Sequence, residues 1–239
     1  MNLSFEVSPG EWSSPPGGSE RHPRSDAGRR SFLRRGAAAF AAASAAFAGR
    51  EAHATNPNFL PSLYPNENVL EFQTIQADEQ AHVKFLVNAL GADARPMPTF
   101  QNLQMNNLQQ FVQNSMVFEN TGVGAYLGAA AYIDNVPYLV AAAGIMDIEA
   151  RHAGYLNVLN NRKMTQNVLG QSPSFEVALT MQQVVDLVSP YVVSLNGGPP
   201  LTFSTIPSAE NDIAILNFAL ALEYLEMTFY NINVPKFTG

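Results

Sequence analysis

An all-α bundle of four long helices follows from three features of the sequence. Helix-period apolar patterns run through "VLEFQTIQADEQAHVKFLVNAL" and "YLVAAAGIMDIEARHAGYLNVL", and each contains one Glu-x-x-His motif. Two further helical segments, "MVFENTGVGAYLGAAAYIDNVPY" and "NDIAILNFALALEYLEMTFYNINVP", each place a tyrosine seven residues after a glutamate. A turn signal at Asp134–Pro137 joins two of the four segments as a helical hairpin.

The chain has 239 residues, 46% hydrophobic and 14% charged, which is enough apolar material for one sizeable domain. The N-terminal part reads differently. "GRRSFLRR" places Arg29 and Arg30 before Ser31, Phe32 and Leu33, close to the twin-arginine export pattern, and the apolar run Ala37–Ala48 follows. Small-x-small cleavage signals end at Ala48 and at Ala54. That apolar run is too short for a permanent membrane span, so residues 1–54 are expected to be a removed presequence and residues 55–239 the mature domain. The expected location is then periplasmic or extracellular, with the twin-arginine machinery as partner. Because that route carries folded cargo, it hints at a metal or prosthetic group inserted before export.

From Thr55 onward 15 Asp and Glu oppose 6 Lys and Arg, so the mature chain is acidic and lacks the basic surface of a nucleic-acid binder. With no cysteine, disulfides, thiolate metal sites and cysteine nucleophiles are excluded. The longest apolar run, Gly122 to Met146, is interrupted by "DNVP" and reads as a buried hairpin, so no permanent membrane anchor is expected.

Only two histidines lie beyond the presequence, and both close the same motif: Glu79 with His82, and Glu149 with His152. Residues i and i+3 share a helix face, so each motif aims a carboxylate and an imidazole in one direction. A single such pair is weak evidence of a site. Two of them match the di-metal carboxylate bundles, which need one more glutamate from each remaining helix. Glu119 lies about as far before the 134–137 turn as Glu149 lies after it, so at about 1.5 Å per residue the two share a level. The glycines and alanines between them are expected to let the two helices pack closely.

Glu223 is the candidate on the last helix, with Glu226 as its rival; an apolar stripe runs through Ile213, Leu216, Leu220 and Met227, and Pro235 is expected to stop the helix. Tyr126 follows Glu119 and Tyr230 follows Glu223 by the same seven residues, close to two turns. The tyrosines are therefore candidates for supporting the ligands, although ordinary core residues would show the same spacing.

The stretches "ILNFALALEYLEMTFY", "DEQAHVKFLVNALGA", "ENTGVGAYLGAA" and "IEARHAGYL" resemble the ferritin-like proteins related to plant desiccation-response proteins, which are common as exported bacterial proteins; the resemblance covers most of Asn66–Gly239. It implies a ferritin-like four-helix bundle with Glu79, His82, Glu119, Glu149, His152 and Glu223 as ligands of two divalent ions. One departure from the family pattern stands out. The helix resembling the family's first is here the last, giving the order B–C–D–A, with residues 161–209 and a short helix over Val177–Val188 bridging D and A. A self-closed circular permutant, a helix exchanged within a homodimer and a truncated gene product all share this pattern.

A di-iron or di-manganese centre of this kind could reduce peroxide, oxidise ferrous ion or activate oxygen. Oxygen-rich ligation suits both metals, so the sequence does not choose between them. Protection against oxidative, iron or desiccation stress is the leading expectation. The competing one is a non-catalytic stress-related bundle with structural metal or none.

Overall fold

The computed structural model describes residues 66–238. The predicted presequence, with Arg29, Arg30 and both cleavage points, lies outside the described residues. Within them four long helices form the bundle: α1 (Glu67–Leu90), α2 (Leu108–Ala130), α3 (Val136–Leu159) and, after a short α4 (Met181–Val188), α5 (Ala209–Thr238).

Hydrogen bonds between helices fix their directions. Gln76 and Gln80, in α1, donate to Asn231 near the end of α5, whereas Arg95, just beyond α1, donates its amide to Asn217 near the start of α5. The two helices are therefore antiparallel, and the end of α5 lies beside the start of α1. Asn160, capping the end of α3, donates to the Val112 carbonyl of α2, and the Tyr126 and Tyr230 hydroxyls cross between α2 and α5. Each helix thus runs antiparallel to its neighbours, leaving α1 and α2 parallel. The 91–107 crossover that joins them tracks α5, tied at one end by Arg95 to Asn217 and at the other by Asn233 and Lys236 to Met105.

Local chemistry sets the helix boundaries. Asn107 and Asn135 accept backbone N–H bonds from Gln110 and Tyr138, which caps α2 and α3, and Pro137 sits in the first turn of α3, where its missing N–H is harmless. Asp212 in the first turn of α5 accepts the amides of Asp134 and Asn135, so the start of α5 clamps the α2–α3 turn.

Three expectations need correcting. The short helix begins at Met181 rather than Val177, because the Leu179 amide bonds the Gly124 carbonyl and Thr180 then forms a capping box with Gln183. The last helix does not stop at Pro235 but continues to Thr238. Proline removes one backbone bond there, while Phe237 stacked on Phe111 and Lys236 bonded to Met105 hold the final turn. Gly122 of α2 faces α3 as expected, but two other glycines of α2 serve a different purpose. A Cβ on Gly124 would meet the Leu179 side chain, and one on Gly128 would sit 2.0 Å from the Leu179 carbonyl oxygen, so these glycines seat the 160–208 connection on α2.

That geometry gives a direct test. Gly128→Ala should cost about 1–3 kcal/mol, since the clash is with backbone that cannot swing away. Gly144→Ala, in α3 with nothing within 4 Å of the added methyl, should instead stabilise by about 0.5–1 kcal/mol. Chemical denaturation of the two variants measures both signs.

The core divides into two apolar layers. One is aromatic, with Phe72, Phe111, Phe118, Phe229 and Tyr230; the other is aliphatic, with Leu86, Leu90, Ile145, Leu216 and Leu220. Polar residues of all four long helices are buried at the level between them. By length and composition α5 could cross a membrane, yet 72% of its apolar window is buried inside the bundle.

Candidate metal centre

Six side chains meet at this level: Glu79 and His82 from α1, Glu119 from α2, Glu149 and His152 from α3, and Glu223 from α5. The four glutamates are no more than 1% exposed, and the histidines 7–8%. Antiparallel packing brings the two Glu-x-x-His motifs to one height, and Glu119 meets Glu149 as the spacing about the 134–137 turn predicts. They do not act as two separate fingers. Glu79, His82, Glu149 and Glu223 offer ligand atoms within 4.8 Å of one another, and so do Glu79, Glu119, Glu149 and His152. Glu79 and Glu149 belong to both groups, while each histidine belongs to one.

The donors are too few for the acceptors. His82 Nδ1 faces Glu79, Glu149 and Glu223 oxygens at 3.2–3.3 Å, and a single N–H cannot serve three. His152 Nδ1 similarly faces Glu119 at 3.0 Å and Glu79 at 3.3 Å. Glu79 Oε1, both oxygens of Glu149 and Glu223 Oε2 are buried without a hydrogen-bond donor. Buried anionic oxygens in that condition are costly unless protonated or bound to cations. A donor set of four carboxylates and two imidazoles is the kind that holds divalent iron or manganese, so the residues present fit such ions.

Tyr126 and Tyr230 support the cluster, but crosswise. Tyr126 donates to Glu223 at 2.5 Å and Tyr230 to Glu119 at 2.6 Å. Seven residues carry each tyrosine about 10 Å along its own helix, out of reach of its own glutamate but level with the one opposite. Gly122 supplies space: a Cβ there would lie 2.7 Å from Glu149 Oε2.

Two further acidic residues adjoin this set: Glu226, the rival named from sequence, and Asp78, which was not. Glu226 is also buried, at 4% exposure, yet only Glu223 falls in the ligand groups. Both face inward because they lie three residues apart, so helical period does not separate them and the choice of Glu223 rested on the spacing to Tyr230. Asp78 accepts a contact from His152 Nε2 at 3.1 Å. Its position beside Glu79 was the available signal, but the partner lies on another helix.

The electrostatics follow from this crowding. Burial and then Glu119 raise the Glu79 carboxyl from 4.5 to about 7. Burial, followed by Glu79 and Glu119, holds Glu149 well above the carboxylate range, and burial with Glu149 does the same to Glu226. For the histidines burial pulls downward, but the facing carboxylates outweigh it, taking His152 to about 12 and His82 far above its ordinary value. These signs predict how the metal-free fold responds to pH. A carboxyl raised from 4.5 to about 7 leaves stability intact below pH 4.5 and removes it as pH rises through 7. The raised histidines act in the same direction, contributing fully below 6.5 and progressively less above it. In chelator, the melting temperature should therefore rise as pH is lowered from about 8 to about 5. Thermal melts across that range check it; a rising melting temperature with rising pH would contradict it.

Comparison with known proteins agrees with the architecture. A protein-family model described as Ferritin-like domain matches residues 31–162, which include α1, α2 and α3 and stop before α5. No curated protein and no solved structure matches the chain.

Proposed function

The chain belongs to the ferritin-like domain family, and from that premise we propose that it is an exported protein whose bundle holds a di-iron or di-manganese centre, acting in protection against oxidative, iron or desiccation stress. The observation that carries the reading is the pair of overlapping ligand groups sharing Glu79 and Glu149. In this assignment those two carboxylates would contribute to both cation positions. Glu119 and His152 would complete one position, and Glu223 and His82 the other. Such ions would supply redox and Lewis-acid chemistry toward peroxide or ferrous iron. Tyr126 and Tyr230 orient the terminal glutamates, and the aromatic and aliphatic layers keep bulk water from above and below. The histidine edges, 8–10% exposed, and the half-exposed Asp78 mark where a small substrate approaches.

The permuted order B–C–D–A belongs to the same reading. α5 lies beyond the family match, yet it occupies the fourth place of the bundle and supplies Glu223. Its end lies beside the start of α1, where a permuted chain would have been joined. Relation to the desiccation-response proteins rests on the sequence stretches quoted above. Export rests on Arg29 and Arg30 with the apolar run behind them, and periplasmic or extracellular placement follows from export. An acidic mature domain fits the proposal that nucleic acid is not its partner.

Protein purified from its native compartment, assayed for metal content, peroxide consumption and ferrous oxidation, tests the function. Bound iron or manganese is expected, with turnover of at least one substrate that is abolished by chelation and by His82→Ala or His152→Ala. Metal-loaded protein with no turnover of either substrate would favour a non-catalytic bundle. Lysine at both Arg29 and Arg30 should retain the chain in the cytoplasm, and unchanged export would overturn that assignment.

A further inference from the structure

The site has an approximate twofold repeat. Glu79 and His82 correspond to Glu149 and His152 at an offset of 70 residues, and residues 71–80 bury the same positions as residues 141–150. Glu119 with Tyr126 corresponds likewise to Glu223 with Tyr230. If the repeat held throughout, the two ligand groups would be chemically equal.

It breaks at one place. Asp78, immediately before Glu79, meets His152 Nε2 at 3.1 Å. The counterpart of Asp78 is Ile148, which cannot accept a hydrogen bond. Among the described residues His82 makes its carboxylate contacts through Nδ1 alone. One imidazole is thus backed by a carboxylate and the other is not.

We infer that Asp78 is a positioning residue that makes the two cation positions unequal, so that the Glu119–His152 position binds its divalent ion first and more tightly. The inference rests on the di-metal reading above. Once a cation replaces the Nδ1 hydrogen, a carboxylate on Nε2 would keep the remaining hydrogen there and direct the Nδ1 lone pair to the place beside Glu79 and Glu119 where the ligand atoms converge. It also fixes the ring's rotation and raises the basicity of the coordinating nitrogen. His82 must select its tautomer and rotation on binding, which weakens the Glu223–His82 position. Protein loaded with one ion per chain should therefore be a defined species rather than a mixture of two.

Manganese(II) titration followed by calorimetry and electron paramagnetic resonance tests the inference. The parent should bind in two resolved steps. His152→Ala should remove the tighter step and His82→Ala the weaker. Asp78→Asn, at a side chain 38% exposed, should fold normally and weaken the tighter step about 10- to 100-fold, closing the gap between steps. Ile148→Asp should strengthen the weaker step. In zinc-loaded, 15N-labelled protein, His152 should show a protonated Nε2 and a metal-bound Nδ1, and Asp78→Asn should broaden or shift that signal, which a purely structural role would not do. Two indistinguishable steps in the parent, loss of the tighter step in His82→Ala, or an unchanged gap in Asp78→Asn would overturn the inference while leaving the di-metal reading in place. Failure of the parent to bind manganese, iron or zinc would overturn both.

Discussion

A chain ending at Ser208 should show no cooperative thermal transition. The segment it lacks buries Ile215, Leu216, Phe218, Leu220, Leu222, Leu225, Phe229, Tyr230 and Val234, each no more than 5% exposed. At about 1.5–3 kcal/mol for each fully buried large apolar side chain, that loss rivals the whole stability of a typical domain, roughly 5–15 kcal/mol. The faces of α1 and α2 that α5 covers would also be exposed, and the α2–α3 turn would lose the Asp212 clamp. The expected product aggregates, or retains helical circular dichroism without fixed packing and binds hydrophobic dye. A sharp melt close to that of the full chain would show that α5 is not an integral fourth helix.

Glu149→Gln and Glu79→Gln should move stability in opposite directions with and without metal. Each removes one of the two carboxylates common to both ligand groups while keeping side-chain shape. Without cations, ionising these buried groups beside one another opposes folding; raising Glu79 from 4.5 to about 7 corresponds to a cost on the order of 3 kcal/mol once the group is charged. Each metal-free variant should accordingly melt above the metal-free parent at pH 8. With saturating iron or manganese the order should reverse, because the parent gains ligand-linked stability and the variants lose most of it. Melting curves in chelator and in excess metal measure both. Variants that gain as much from metal as the parent would show that these carboxylates do not hold it.

Much of this arrangement was legible in the sequence, for identifiable reasons. Glu79, His82, Glu149 and His152 stand out because helical geometry fixes the direction of an i,i+3 pair whatever surrounds it. Glu119 follows from equal distances on either side of one turn. Glu223 needed the matching tyrosine spacing, since Glu226 is buried as well. The features that depend on contacts between helices could not be read in this way. The tyrosines serve opposite helices because of an antiparallel register that local spacing does not specify. Gly128 reads as a helix-packing residue until Leu179, about fifty residues later, is seen on top of it. Asp78 looks like a solvated helix-surface acid until α3 places His152 beside it.

Metal content per folded chain, measured after loading with ferrous or manganous ion and removing excess, decides whether the bundle holds two ions. The parent should retain two ions per chain, His82→Ala or His152→Ala no more than one, and the protein with Glu79 and Glu149 both replaced by glutamine none. A parent that folds fully yet retains no ion, or variants that retain two, would contradict the di-metal reading.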